Sequence, residues 1–237
     1  MLKEFTEKII ALAKPNEVEK FGCTYTDKRL DLMEEPHMSP ISFSSLIGLV
    51  QALKTDQIFE RTPFMVRVTS PTCVDVFSAA NGSDKSRASI YNVNAIIPSM
   101  PFGQFMDYES MMINLKSKFV QTNEVLERIQ LLGTITEENS SSVSDDGFTQ
   151  NVVVKQGIAL KGNKAIDPIT RLKPYRTFLE VDQPESDFLL RLQEGRRVAL
   201  FEADGGAWKL QAKQNIKEYL ERELANEIEQ GLLFVVE

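Results

Sequence analysis

Residues 64–97 read FMVRVTSPTCVDVFSAANGSDKSRASIYNVNAII, and their period of two decides the fold class. Three runs stand out: Phe64–Thr69, Thr72–Ala79 and Ala88–Ile97. Ser70-Pro71 separates the first two, and residues 80–87, centred on the polar stretch Asn81-Gly82-Ser83-Asp84-Lys85, separate the last two. Connections this short suit antiparallel pairing, because a parallel crossover needs a dozen residues or more. In the third run Ile90, Asn92, Asn94 and Ile96 alternate with Tyr91, Val93, Ala95 and Ile97, and the second set is predicted to face the core.

Upstream of this meander the period is helical. Leu2, Phe5, Ile9, Leu12 and Ala13 recur at helix spacing, and Pro15 stops the pattern. Gly22 to Met33 reads as a strand, and Pro36 and Pro40 then break the chain. Ser42 is the expected N-cap of a helix to about Lys54, with Phe43, Leu46, Ile47, Val50 and Leu53 on one stripe.

Downstream, Pro98 and Pro101 close the sheet. Phe105, Tyr108, Met112, Leu115 and Phe119 mark a helix, and Asn123 to about Leu132 a second one with Val125, Leu126 and Ile129 inward. Met106, Met111 and Met112 are read as core packing. Glu137 to Gly147 (EENSSSVSDDG) is expected to be a mobile hairpin tip between strand-like flanks, Thr134–Thr136 and Thr149–Leu160. Its oxygen ligands lack the spacing of a Ca²⁺-binding EF-hand loop.

Three further strands are expected at Leu172–Val181, Asp187–Gln193 and Arg197–Ala203, ended by Asp204-Gly205-Gly206. A long amphipathic helix follows, carrying Trp208, Ala212, Ile216, Tyr219, Leu220 and Leu224, and Leu232–Val236 forms a last strand after Gly231. Strands, helices, strands and a closing helix predict an α+β fold, mostly antiparallel, with about four helices packed on it. The expectation is one domain over residues 1–237, with a division into lobes 1–100 and 101–237 near Pro98–Gly103.

Composition bounds what such a chain can do. Its 237 residues carry 27 Lys+Arg against 34 Asp+Glu, a net charge of −7, which argues against phosphate-driven nucleic-acid binding. No apolar run is long enough to span a bilayer, and Lys3, Glu4, Glu7 and Lys8 interrupt the first apolar stretch, so no membrane partner or export signal is expected. Cys23 and Cys73 are far apart and read as reduced thiols; His37 is the single histidine. Neither a Cys/His zinc site nor a nucleophilic triad finds its partners, and no phosphate loop, dinucleotide fingerprint or nucleophile elbow is present. Neighbouring carboxylates (Glu34-Glu35, Asp145-Asp146, Asp27 with Asp31) are read as solvated charge. No cofactor, metal site or catalytic residue is assigned.

One region stands above this background. If Leu172–Val181 is a strand, Arg176, Phe178 and Glu180 lie opposite the more apolar Tyr175, Thr177, Leu179 and Val181, which leaves Arg176 and Glu180 exposed or paired. Arg191 and Arg197 then share that face, and the Gly205-Gly206 helix start, followed by Lys209, lies at one end of it. Backbone amides at a glycine-rich helix start can hold an anion, although Asp204 at the cap position competes for them. These seven residues are the candidate ligand- or partner-binding set.

Residues 172–221 (LKPYRTFLEVDQPESDFLLRLQEGRRVALFEADGGAWKLQAKQNIKEYLE), with DDGFTQNVVVKQG before them, resemble the YfdQ-like phage family of Gram-positive prophages, proteins of unknown function. The resemblance covers residues 100–237 and implies provenance: a phage gene product acting in the cytoplasm of an infected bacterium. It implies no activity. The expectation drawn from all of this is a non-enzymatic phage accessory protein that binds a host or phage protein, and that also self-associates because its 14 Phe and 8 Met exceed what one core hides. Two alternatives are a sponge-like binder of a nucleotide or other small anionic ligand, and a metal-dependent enzyme built on carboxylates.

Overall fold

The computed structural model describes residues 2–13, 15, 17–20, 23–26, 39–55, 63–80, 85–134, 144–145, 150–156, 159–166, 169–193 and 197–237. Two compact units emerge, Met1–His37 and Met38–Glu237. The first contains helix α1 (Leu2–Ala13) and an antiparallel hairpin of β1 (Glu17–Lys20) and β2 (Cys23–Thr26). Of the strand expected over Gly22–Met33, Cys23–Thr26 is described and pairs with Glu17–Lys20; the remainder lies outside the described residues. His37, Glu34-Glu35, Asp27 and Asp31 lie outside the described residues.

The second unit opens with β3 (Ile41–Phe43), α2 (Leu46–Thr55), β4 (Phe64–Ser70), β5 (Cys73–Phe77) and β6 (Ser89–Asn94). The three central strands pair in sequence as expected, with Val66, Val68, Val74, Val76, Tyr91 and Val93 on the buried face. Ser42 is in β3 and caps nothing. The Ser45 hydroxyl accepts from the Gly48 amide instead, and α2 buries Leu46, Leu49, Val50 and Leu53 while Ile47 faces outward. Each of those leucines contributes roughly 1.5–3 kcal/mol by leaving water.

Next come β7 (Met106–Asp107), α3 (Tyr108–Lys118) and α4 (Asn123–Thr134), then β8 (Ser144–Asp145), β9 (Gln150–Gln156), β10 (Ala159–Ile166) and β11 (Ile169–Leu172). Asp107 caps α3 by accepting from the Ser110 amide. Leu126 is exposed, so α4 turns Val125 and Leu132 inward. Strands β8, β9 and β10 form an antiparallel sheet. The Glu137–Gly147 tip falls outside the described residues except for Ser144–Asp145.

The chain ends with β12 (Ser186–Gln193), β13 (Arg197–Glu202), α5 (Trp208–Glu223), α6 (Ala225–Glu229) and β14 (Leu233–Val236). Leu172–Val181 is not a strand beyond Leu172. The four-stranded antiparallel sheet runs β11-β12-β13-β7. The larger sheet runs β14-β4-β5-β6-β3, and both of its edges are parallel additions to the antiparallel meander. They cover backbone groups that β4 and β6 would otherwise leave unpaired. The architecture is α+β and mostly antiparallel, with six helices among the described residues.

Two buried clusters form the core of this unit. One joins α2 and the β4–β6 meander to Phe178, Val181, Ile216, Leu220, Leu224 and Leu233. The other joins α3 and α4 to Leu172, Phe188, Leu190, Val198 and Leu200. The closing helix and the final strand therefore return to the N-terminal meander. At the end of α6 the Leu232 and Gly231 amides donate to the Glu227 and Ile228 carbonyls, with Gly231 at φ +71°, a left-handed helix stop that aims β14 back along β4. Among the described residues no helix is long and apolar enough to cross a membrane.

Candidate functional site

The region of interest is the irregular segment 173–185, bounded by buried Pro174 and Pro184. A proline at each end removes amides that a ladder would need, and the segment satisfies its backbone differently. The Gln183 side chain does much of this. Its oxygen accepts from the Arg176 and Thr177 amides at 3.0 and 3.3 Å, and its nitrogen donates to the Phe178 and Val181 carbonyls at 2.9 and 3.2 Å. The Tyr175 amide donates to the Lys118 carbonyl, and the Thr177 hydroxyl donates to the Pro71 carbonyl. A loop tied at so many points holds one shape.

Arg176 differs most from expectation. It is 5% exposed, not on an open sheet face. Its guanidinium lies 4.1 Å from the centre of the Trp208 ring and 5.5 Å from that of Phe188. Nη1 donates to Glu202 at 2.7 Å, and Nη2 donates to the Ser186 hydroxyl. Burial lowers its pKa, opposed by the charges of Glu202 and Asp204. The segment is not a β-strand, so alternation does not apply: Phe178 is a core residue and Leu179 is 67% exposed, the reverse of the predicted faces.

Ser186 passes the network on by donating to Asp204 at 2.8 Å. Asp204 also accepts from the Gly206 amide at 3.0 Å and the Trp208 amide at 3.3 Å. Burial pushes the Asp204 carboxyl up, but the bonds from Ser186, Gly206 and Trp208 and the Arg176 charge hold it below its ordinary value. The competition anticipated at the Gly205-Gly206 turn is therefore resolved in favour of Asp204. Gly205 and Gly206, at φ +62° and +84°, make the turn that lets this carboxylate fold back on the helix start.

Glu180 points away from Arg176. Its carboxylate accepts from the Leu46 amide at 2.8 Å and so caps α2. Beside it a cleft of about 200 Å³ opens between Glu180–Asp182 and α5, lined by Asn215, Glu218, Tyr219 and Arg222. Asn215 donates to the Asp182 carbonyl, and Arg222 stacks on Tyr219 at 5.3 Å. Burial, with Glu223 and Glu180 nearby, raises the Tyr219 pKa. Three carboxylates against one guanidinium make the cleft acidic.

No known protein family, curated protein or solved structure matches this chain. Geometry is then the guide to the candidate set, which does not converge. Arg191 and Arg197 do share the sheet face opposite Phe188, as the β12–β13 register requires. Arg197 donates to the Phe105 carbonyl at 2.8 Å. Arg176 lies on the Phe188 side and Glu180 at α2, while exposed Lys209 sits by Gly206 and 6.0 Å from the Trp208 ring centre.

A second polar group went unrecognised in the sequence. On the outward face of the meander Asp75 accepts from the Thr69 hydroxyl at 2.6 Å, from the Asn92 side-chain Nδ2, and from the Cys73 thiol at 3.7 Å, with Arg67 at 3.5 Å. Burial pushes the Cys73 thiol up, helped by the Asp75 charge. A shift in this direction is the opposite of what activates a nucleophilic thiol. The signal was available: Arg67, Thr69, Cys73, Asp75, Asn92 and Asn94 alternate with the buried residues on three adjacent strands.

Proposed function

We propose that this chain is a non-enzymatic, partner-binding protein, a phage accessory protein that engages a host or phage protein in the bacterial cytoplasm. The observation that carries the reading is Leu179, a large apolar side chain 67% exposed between buried Phe178 and Glu180, whose carboxylate is bound to α2. An exposed apolar residue on a segment already ordered by Gln183 is a binding anchor, because little conformational freedom is lost when it docks. The acidic cleft next to it favours a partner that places lysine or arginine beside an apolar pocket. The small-anion alternative loses support here: Nη1 and Nη2 of Arg176 face Glu202 and Ser186, the remaining Nε is buried, the Gly206 amide faces Asp204, and the cleft is smaller than nucleotide-sized sites of roughly 300 Å³ or more.

The test is affinity capture from bacterial cells expressing the tagged chain, run beside Leu179→Asp, followed by titration of the purified partner. The reading expects a basic partner whose affinity falls at least tenfold for Leu179→Asp and declines with added salt. Equal affinity for both chains removes Leu179 as the anchor.

A further inference from the structure

Helix α1 is exposed along all of Lys3 to Ile10, although three of those residues are large and apolar. Phe5, Ile9 and Ile10 are 65, 50 and 54% exposed. In the same unit Val18 and Tyr25, directly opposite each other across β1 and β2, are 50 and 54% exposed. In the sequence Leu2, Phe5, Ile9 and Leu12 follow a 3-4-3 spacing, the a/d seam of two heptads.

The charges beside this seam select what covers it. Lys3, Glu4, Glu7 and Lys8 sum to zero and alternate so that Lys3 and Glu7, and Glu4 and Lys8, stand four apart. A helix that lies on an anionic lipid surface has a polar face rich in Lys and Arg, which α1 lacks. A strongly basic or acidic partner would be met by opposite charge, and there is no excess of either. A neutral face with a heptad seam neither repels its own copy nor favours a charged stranger. We propose that α1 docks against α1 of a second copy of this chain, forming a two-helix seam through Phe5 and Ile9. Twelve residues make a helix of about 18 Å, so two copies bury on the order of 1,000 Å² at most. An interface of that size is at the small end for stable complexes, so the association is weak and reversible. The seam uses none of the residues on which the Leu179 reading rests, and the two proposals stand or fall independently.

Sedimentation velocity of the full chain from about 1 to 100 µM tests this, read against the 26.8 kDa monomer. The wild type is expected to move from monomer toward twice that mass. The double variant Phe5→Asp/Ile9→Asp should remain monomeric, and Ile113→Asp, altering an exposed residue of α3, should behave as wild type. A wild type monomeric at 100 µM, a double variant that dimerises equally well, or a monomer that instead co-sediments with phosphatidylcholine–phosphatidylglycerol vesicles would each overturn the proposal. Should the double variant lose helix content, a short bis-maleimide on a Cys23→Ser/Cys73→Ser background decides. Ile9→Cys is expected to cross-link between chains at least fivefold faster than Glu7→Cys, and equal rates count against the seam.

Discussion

The Glu180 carboxylate accepts a hydrogen bond from the Leu46 amide at 2.8 Å, across 134 positions of sequence. Ser45 caps α2 locally through the Gly48 amide, and a loop from the other half of the chain delivers a second acceptor to the first helical amide. The same loop sends Phe178 and Val181 into the cluster beneath α2 and holds Arg176 against Phe188 of the neighbouring cluster. It couples the two halves of the core.

Glu180→Ala should therefore destabilise the protein by about 1 kcal/mol, the usual cost of a lost N-cap. Glu180→Gln keeps an acceptor oxygen and should lose about half as much. Urea denaturation measures both, and an alanine variant as stable as wild type would mean that the cap contributes nothing in solution.

Arg176→Ala should be costly for stability, at about 2–4 kcal/mol. It removes the donor to Glu202 and Ser186 and empties the space against Trp208 and Phe188. The figure sits below that of a fully buried pair because the Glu202 side chain is 41% exposed. Arg176→Lys should recover little, since an ammonium cannot reach both acceptors and stack on an indole. A change in Tm of only a degree or two would return Arg176 to the surface role expected from sequence.

Asp204 sets a pH dependence. Its carboxyl is held below the ordinary value, so the unfolded chain takes up a proton more readily than the folded one. The stabilisation is complete above the ordinary carboxylate pKa near 4 and is lost as pH falls through the lower folded value. Asp204→Asn should be less stable at pH 7 and should lose less stability than wild type between pH 5 and 3. Parallel stability curves for the two proteins would contradict this.

Asp75 should control the reactivity of Cys73. Burial is the larger cause of the raised thiol pKa and stays in place, but Asp75→Asn removes a negative charge that disfavours the thiolate. On a Cys23→Ser background the variant should react with iodoacetamide several-fold faster at pH 8 than the parent. A slower or unchanged rate would show that Asp75 does not act on the thiol.

The sequence by itself determined the elements whose partners are near neighbours. The β4–β6 meander, the β12–β13 pair and the buried stripe of α5 follow from periods of two and 3.6, because the side chains that alternate are the ones that meet. The Asp204 turn was legible too, since acceptor and amides lie within four residues. Only the tertiary structure decided the rest. Residues 173–185 alternate like a strand, yet their backbone groups are satisfied by the Gln183 side chain and by the backbone of Lys118 and Val120, and once no ladder forms the period carries no meaning; Pro174 and Pro184 were the local warning. Arg176 is buried because Phe188 and Trp208 arrive from other elements to flank it while Glu202 balances its charge and, with Ser186, takes its Nη1 and Nη2 donors. The parallel edges β3 and β14 answer a need of the assembled sheet, unpaired strand edges, that no window of sequence contains.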